Sequence, residues 1–304
     1  YVGNQGSGNL TVRNGGSVTS STSFIGAAGS GAGVASVTGS GSTWVMNKAN
    51  LNIGHDGTGS LAILSGGEVS NAKGYIGGNS GGDGTVTVSG ISGGTWHNNG
   101  LLTVGGGGTG VLNLYSGLVT SSGASIGADS GGSGTANVSG ASATWTDAGD
   151  MTVGDYGSGR LNILNGAGVS TGNAHIGRRS GGDGRVDVAS GAAWQVQGNL
   201  FLGQGDTGVL NILSGGSVTD VNTTTVGASG LMTVDGGSID TGNLLVDSGI
   251  VDLKSSNGIV DTAAVTIQGG SFNLVGGISE VIKSLDIQGG KATLDGGTLG
   301  TSLG

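Results

Sequence analysis

The chain has 304 residues, 73 of them Gly, with no Pro, no Cys, 10% charged residues and a formal net charge of −9. Ordinary domains carry about 7% Gly and about 25% charged residues; here the missing Cys excludes disulfide scaffolds, thiolate metal sites and cysteine catalysis, and the acidic balance repels a phosphate backbone, which sets nucleic acid aside as a partner. Collagen is excluded because Gly does not fall at every third position, and disorder because Leu, Val and Ile recur at regular places.

In chain order, one phrase returns five times: VGNQGSGNLTV from Val2, IGHDGTGSLAI from Ile53, VGGGGTGVLNL from Val104, VGDYGSGRLNI from Val153 and LGQGDTGVLNI from Leu202. The period is 49 to 51 residues. Between these copies runs a second phrase: IGAAGSGAGVASV from Ile25, IGGNSGGDGTVTV from Ile76, IGADSGGSGTANV from Ile126 and IGRRSGGDGRVDV from Ile176. Both consist of an aliphatic residue and Gly, a glycine-rich turn, then alternating apolar and polar residues. The alternation predicts strands with one side chain in and the next out. Leu10 and Val12, Leu61 and Ile63, Leu112 and Leu114, Leu161 and Ile163, and Leu210 and Ile212 form the inward set; a further strand is marked by Val18, Val69, Val119, Val169 and Val218.

Each 50-residue unit is thus two passes of three short strands, which predicts an all-β chain folded as a single-stranded, right-handed, three-faced parallel β-helix of about 12 or 13 rungs. Residues 1–219 carry the double-rung repeat. Residues 220–304 continue the same β-helix with rungs of about 20 residues, starting near Val226, Val246, Val265 and Leu285. Absence of Pro fits strands paired on both sides, where every N–H is needed. Gly15–Gly16, Gly66–Gly67 and Gly215–Gly216 stand where the coil turns and positive φ is expected. A β-propeller, the structural rival, has no place for half-unit similarity or for a shortening repeat. No apolar run is long enough to cross a bilayer as a helix, no targeting segment is visible, and the chain opens at Tyr1 inside a repeat unit, reading as a fragment of something longer.

The consensus VGxxGxGxLxVxxGGxVxS, paired with IGxxSGGxGxVxVSGxxxxW, resembles the repeat shared by type V secreted autotransporter passengers and proteins with PEP-CTERM sorting signals. It covers residues 1 to about 219, and the tail, with IQGGSFNLVGG and IQGGKATLDGGTLG, is similar to simpler passenger repeats. The resemblance implies a secreted or cell-surface β-helix serving adhesion, aggregation or display, attached to the outer membrane through a C-terminal translocator that does not follow here.

Candidate chemistry is sparse. His55, His97 and His175 are the natural suspects for catalysis, but positions matching His55 hold Asn4, Gly106, Asp155 and Gln204, and those matching His175 hold Phe24, Tyr75 and Ser125. Gly123-Ala124-Ser125-Ile126-Gly127 satisfies the nucleophile-elbow pattern without the helix that the elbow needs. Asp83 and Asp183 match in SGGDG yet lie four passes apart, about 19 Å, beyond the roughly 5 to 9.5 Å of glycosidase carboxylates; Asp235 with Asp252, and Asp286 with Asp295, are further pairs. Calcium binding fails on spacing, since the nonapeptide supplies an Asp in every copy. Trp44, Trp96, Trp145 and Trp194 occur once per unit. They read either as staples burying apolar area or as an exposed aromatic track that stacks on sugars, and acrylamide quenching separates the two.

The expectation is a non-enzymatic, cofactor-free and metal-free scaffold whose partners are a second copy of itself or host and matrix glycans. The alternatives are a polysaccharide-binding or polysaccharide-cleaving β-helix, and a passive stalk displaying another domain.

Overall fold

The structure is a computed structural model and describes residues 1–254, 258–275, 279–295 and 298–301. Residues 276, 277, 296 and 297, the closing glycine pairs of the two tail phrases, and residues 302–304 at the end of the second stretch lie outside the described residues.

Glycine-rich turns break the alternating sequence into short strands, and stacking is the way such strands bury their aliphatic sides. The third coil shows the plan: Thr58–Leu64, then Glu68–Asn71, then Gly74–Ile76. Strands of the first kind form a 13-stranded sheet, and those of the second and third kinds run through a 20-stranded one. All the named strand pairs are parallel among the described residues, each joining a coil to the next. The chain is a parallel β-helix with three strand columns.

Register fixes the core. Leu61 lies between Ala35 and Val86, Leu112 between Val86 and Ala136, and Leu161 between Ala136 and Val186. All are buried, so the three leucines occupy one internal column, as the alternation predicts. In the second column Val18, Trp44, Val69, Trp96, Val119 and Trp145 stack in that order, and Val169, Trp194 and Val218 continue it. Val and Trp therefore alternate coil by coil.

That alternation is matched in volume. Coils carrying Trp carry a small residue in the first column (Ala35, Val86, Ala136, Val186), whereas coils carrying Val carry Leu there (Leu61, Leu112, Leu161). In the third column the preceding coil makes room for the indole. A Cβ added to Gly74 would lie 3.0 Å from Trp96 Cζ2, and Ala124 and Ala174 hold the matching places below Trp145 and Trp194. Cores close-packed like organic crystals need such compensation.

Two glycine types set the corners. In Asn14–Gly15 and Asn165–Gly166 both residues have positive φ, the pairing that a tight two-residue turn requires. Positive φ thus falls on the first glycine of Gly15–Gly16 and on the residue before it. More constrained is the glycine after each third strand: Gly105 has φ 68°, and any Cβ there would overlap the Ser133 carbonyl of the next coil. After Leu213 the corner between second and third columns straightens, and Ser217–Val226, Ser238–Val246 and Ile259–Ile267 each run through it as one strand. An irregularity between Asp220 and Thr223 marks where the change begins.

Candidate functional site

Up to Leu202 the third-column strands are three residues long, with the first and last facing the core. The middle residue faces out. Asn52, Tyr75, Thr103, Ser125, Thr152 and His175 succeed one another on this flank. Four of them (Asn52, Thr103, Ser125 and Thr152) are nevertheless less than a tenth exposed, because loops rise on both sides. One wall is formed by the residue after each corner glycine, which reads His55, Gly78, Gly106, Ala128, Asp155, Arg178 along successive coils. The other carries Asn50, Leu101 and Asp150. Where the first wall falls to glycine and alanine, a recess of about 670 Å³ opens over Tyr75, Thr103 and Ser125. The Ser125 hydroxyl is buried at its floor with no hydrogen-bond partner, an arrangement that costs about 1–3 kcal/mol if left unmade.

The rim is mainly acidic. Asp129, Asp150 and Asp155 line it against a single arginine, Arg178. Asp150 accepts hydrogen bonds from the Asn173 backbone N–H at 3.1 Å and side-chain amide at 2.9 Å. Asp155 pairs with Arg179 at 3.2 Å, and that guanidinium lies 4.8 Å over the Tyr156 ring. Stacked rings close the flank beyond both ends: Tyr1 on Phe24 at 5.1 Å, with His55 edge-on to Phe24, and His175 on Phe201 at 5.0 Å. Desolvation lowers the His175 pKa. The Asn79 amide, then His55, holds the Asp56 carboxyl below the usual carboxylate range.

The four tryptophans are not a surface track. Trp44, Trp96, Trp145 and Trp194 are at most 3% exposed, because they occupy inward strand positions opposite valines, where a large apolar ring gains most from leaving water. Acrylamide should quench their fluorescence only weakly; strong quenching would contradict this placement. Three indoles donate to the coil below: Trp44 to Ser20 Oγ at 2.9 Å, Trp96 to Asn71 Oδ1 at 2.7 Å and Trp145 to Ser121 Oγ at 3.0 Å. Trp194 Nε1 has no partner.

The histidines stand apart. His97 faces out of the second column beside Thr120 at 3.1 Å, whereas His55 and His175 lie five coils apart on the recessed flank. Ser125 sits in a strand, Ala124–Ile126, two coils from His175 and about 10 Å away, so no elbow forms. Asp83 and Asp183 are separated by four rungs of the first sheet. Register sets Asp252 opposite Thr233 and Asp286 opposite Thr266, so neither Asp235 nor Asp295 stands directly across the ladder from its suspected partner. Among the described residues no group of three His, Asp or Glu is placed to hold a metal ion.

A polar strip that the alternation does not signal runs inside the coil, two residues beyond the Val/Trp column. Asp147 and Asp220 are each 2% exposed there. Asp147 accepts from Ser121 Oγ at 2.9 Å and Gly123 N at 2.6 Å, and Asp220 from Thr224 Oγ1 at 2.8 Å. Burial pushes both carboxyls above their ordinary 3.8 despite these bonds. Between 3.8 and the raised values the folded chain holds protons that the unfolded chain releases, so their contribution to stability falls as pH rises through that window. Asp187 has the opposite sign. Burial raises it, but hydrogen bonds from Arg185 and Asn211 and the charges of Arg185 and Arg160 outweigh this and hold it low, so its contribution is lost as pH falls below 3.8. His175 also runs opposite, gaining stability as pH rises towards 6.5. Urea midpoints of a D147N/D220N variant, set against the parent from pH 4 to 7, should isolate the first effect: the parent should lose ground to the variant as pH rises. Parallel curves would show that the two carboxyls are not raised.

No protein-family model matches this chain, and no curated protein matches it. Among solved structures, the crystal structure of a TibC-catalysed hyper-glycosylated TibA fragment aligns over 98% of this chain and 93% of that one, with 22% sequence identity and a TM-score of 0.45.

Proposed function

We propose that this chain is the rod of an exported, cell-surface scaffold that works by adhesion and performs no catalysis. The observation that supports this best is the split between a regular inside and a variable outside. The core columns repeat valine, leucine and tryptophan coil after coil, whereas equivalent outward positions change freely, as in the series His55, Gly78, Gly106, Ala128, Asp155, Arg178. A solenoid built this way holds its length whatever its flanks carry, which suits a protein that presents surface rather than one that holds a fixed set of reacting groups. The repeat's resemblance to autotransporter passengers points the same way, with attachment to the outer membrane through a translocator beyond this chain. Beads coated with the protein should adhere to immobilised extracellular matrix or cell-wall material and release no new reducing ends from it. Beads that stay free, or reducing ends that accumulate, would overturn the reading.

Self-association is the second reading, and the surface favours one face for it. On the first sheet Asn137 donates to Asn113 at 2.8 Å and Asn162 to Asn137 at 2.7 Å, so these amides are engaged along the rod. The second column presents the hydroxyls of Ser70, Thr120 and Thr146 in one row with His97, and Thr144 and Thr146 are exposed. Many modest hydrogen bonds between two such faces would hold copies together. Light scattering over a concentration series should then show mass rising, and a constant monomer mass would remove this reading.

A further inference from the structure

We infer that the recess over Tyr75, Thr103 and Ser125 is a binding site for a neutral, extended oligosaccharide lying along the rod axis; the inference rests on the adhesive reading and assigns its ligand class.

The shape comes first. The recess exists because three consecutive wall positions, Gly78, Gly106 and Ala128, have almost no side chain, while His55 before them and Asp155 and Arg178 after them restore the wall. Its floor runs from Asn52 to Thr152, four rung spacings or about 19 Å, and one coil's rise is close to the length of a sugar unit in an extended pyranose chain. A volume of about 670 Å³ lies within the range of small-molecule sites.

The chemistry of the floor then selects. The Asn52 amide nitrogen is already engaged, donating to the Ser23 carbonyl at 3.3 Å; Thr103, Ser125 and Thr152 bring hydroxyls, all on buried residues, with the Ser125 oxygen lacking any partner within the protein. A ligand rich in hydroxyls can both donate to and accept from such groups. Tyr75 on the floor supplies a ring against which the apolar face of a sugar can rest. Acidic chains are disfavoured, because with Asp155 paired to Arg179 the rim still sets Asp129 and Asp150 against Arg178, and the whole chain is negative. An extended peptide has no purchase here either. Peptides gain affinity from a free strand edge, and the backbone of these strands is already paired with the coil on either side.

The test is calorimetric titration of the whole chain with cellohexaose, mannohexaose and maltohexaose, with a hexamer of galacturonic acid as the acidic comparison. At least one neutral hexamer should bind and the acidic one should not. Ala128→Trp, which fills the recess from its wall, should weaken binding at least tenfold, and Tyr75→Ala and Ser125→Ala should weaken it by smaller factors. Thr146→Trp, on the neighbouring face, should leave it unchanged. Melting curves check that each variant is folded. Binding that survives Ala128→Trp in a folded protein, or that is seen only with the acidic hexamer, overturns the proposal. If no hexamer binds while coated beads still adhere, the recess is not the adhesive element and the scaffold reading stands. If a neutral hexamer binds through the recess while beads fail to adhere, the site stands and the adhesive reading falls.

Discussion

Leu112→Asp should open the middle of the rod while leaving its two ends folded. Leu112 is fully buried between Val86 below and Ala136 above. Removing the leucine costs roughly 2–5 kcal/mol from lost burial and the space left behind, and an ionised carboxylate in its place adds several kcal/mol of desolvation with no cation in the column to offset it. Each coil is supported only by its neighbours, so the loss is local. Limited proteolysis should cut within a coil or two of residue 112 and yield two resistant fragments, and the melting curve should split. A variant that resists protease like the parent and melts in one step at the parental temperature would mean that this column is not the core.

Trp96→Ala should have the next largest effect. The indole is fully buried, lies over Gly74 in the preceding coil and donates to Asn71 Oδ1 at 2.7 Å. Deleting a buried Trp costs roughly 3–5 kcal/mol. The loss has two parts that a second variant separates. Trp96→Phe keeps most of the apolar contact but leaves the Asn71 oxygen without its donor, at about 1–3 kcal/mol. Urea titration should rank the parent above Trp96→Phe and Trp96→Ala last. Equal midpoints for all three would mean that the indole sits outside the core.

Most of the architecture was legible because it rests on two periods that can be counted. Leu61, Leu112 and Leu161 alternate with polar neighbours, which gives the strand, and return at 50-residue intervals, which gives the stack. Trp96 was half legible. Its recurrence once per unit was plain, but an indole has both an apolar body and a polar N–H, so periodicity alone did not say which side of the strand it took. The useful clue was that Trp96 stands in its pass where Val69 stands in the other, and Val69 belongs to an alternating strand. The recess was not legible. It is made from side chains that are missing, Gly78, Gly106 and Ala128, at turn positions that read as variable, and it takes shape only when register lays those turns side by side. Ser125 matches the nucleophile-elbow pattern by chance, and its place in the fold is an outward hydroxyl on the floor. Asp147 and Asp220 were hidden because a lone Asp near a strand end reads as solvated until the corner is known to fold inward.

The matching of small and large residues between coils bears on how a rod of this kind can change length. Adding or deleting a pair of coils restores the sequence of contacts on either side, with valine meeting tryptophan and Ala or Val meeting Leu, as before. Losing a single coil instead brings two indoles face to face at one junction, or two valines with a gap between them, and sets two leucines or two small residues against each other in the next column. Recombination between repeats is therefore silent in steps of about 50 residues and disruptive in steps of 25, so the length of such a molecule evolves in even numbers.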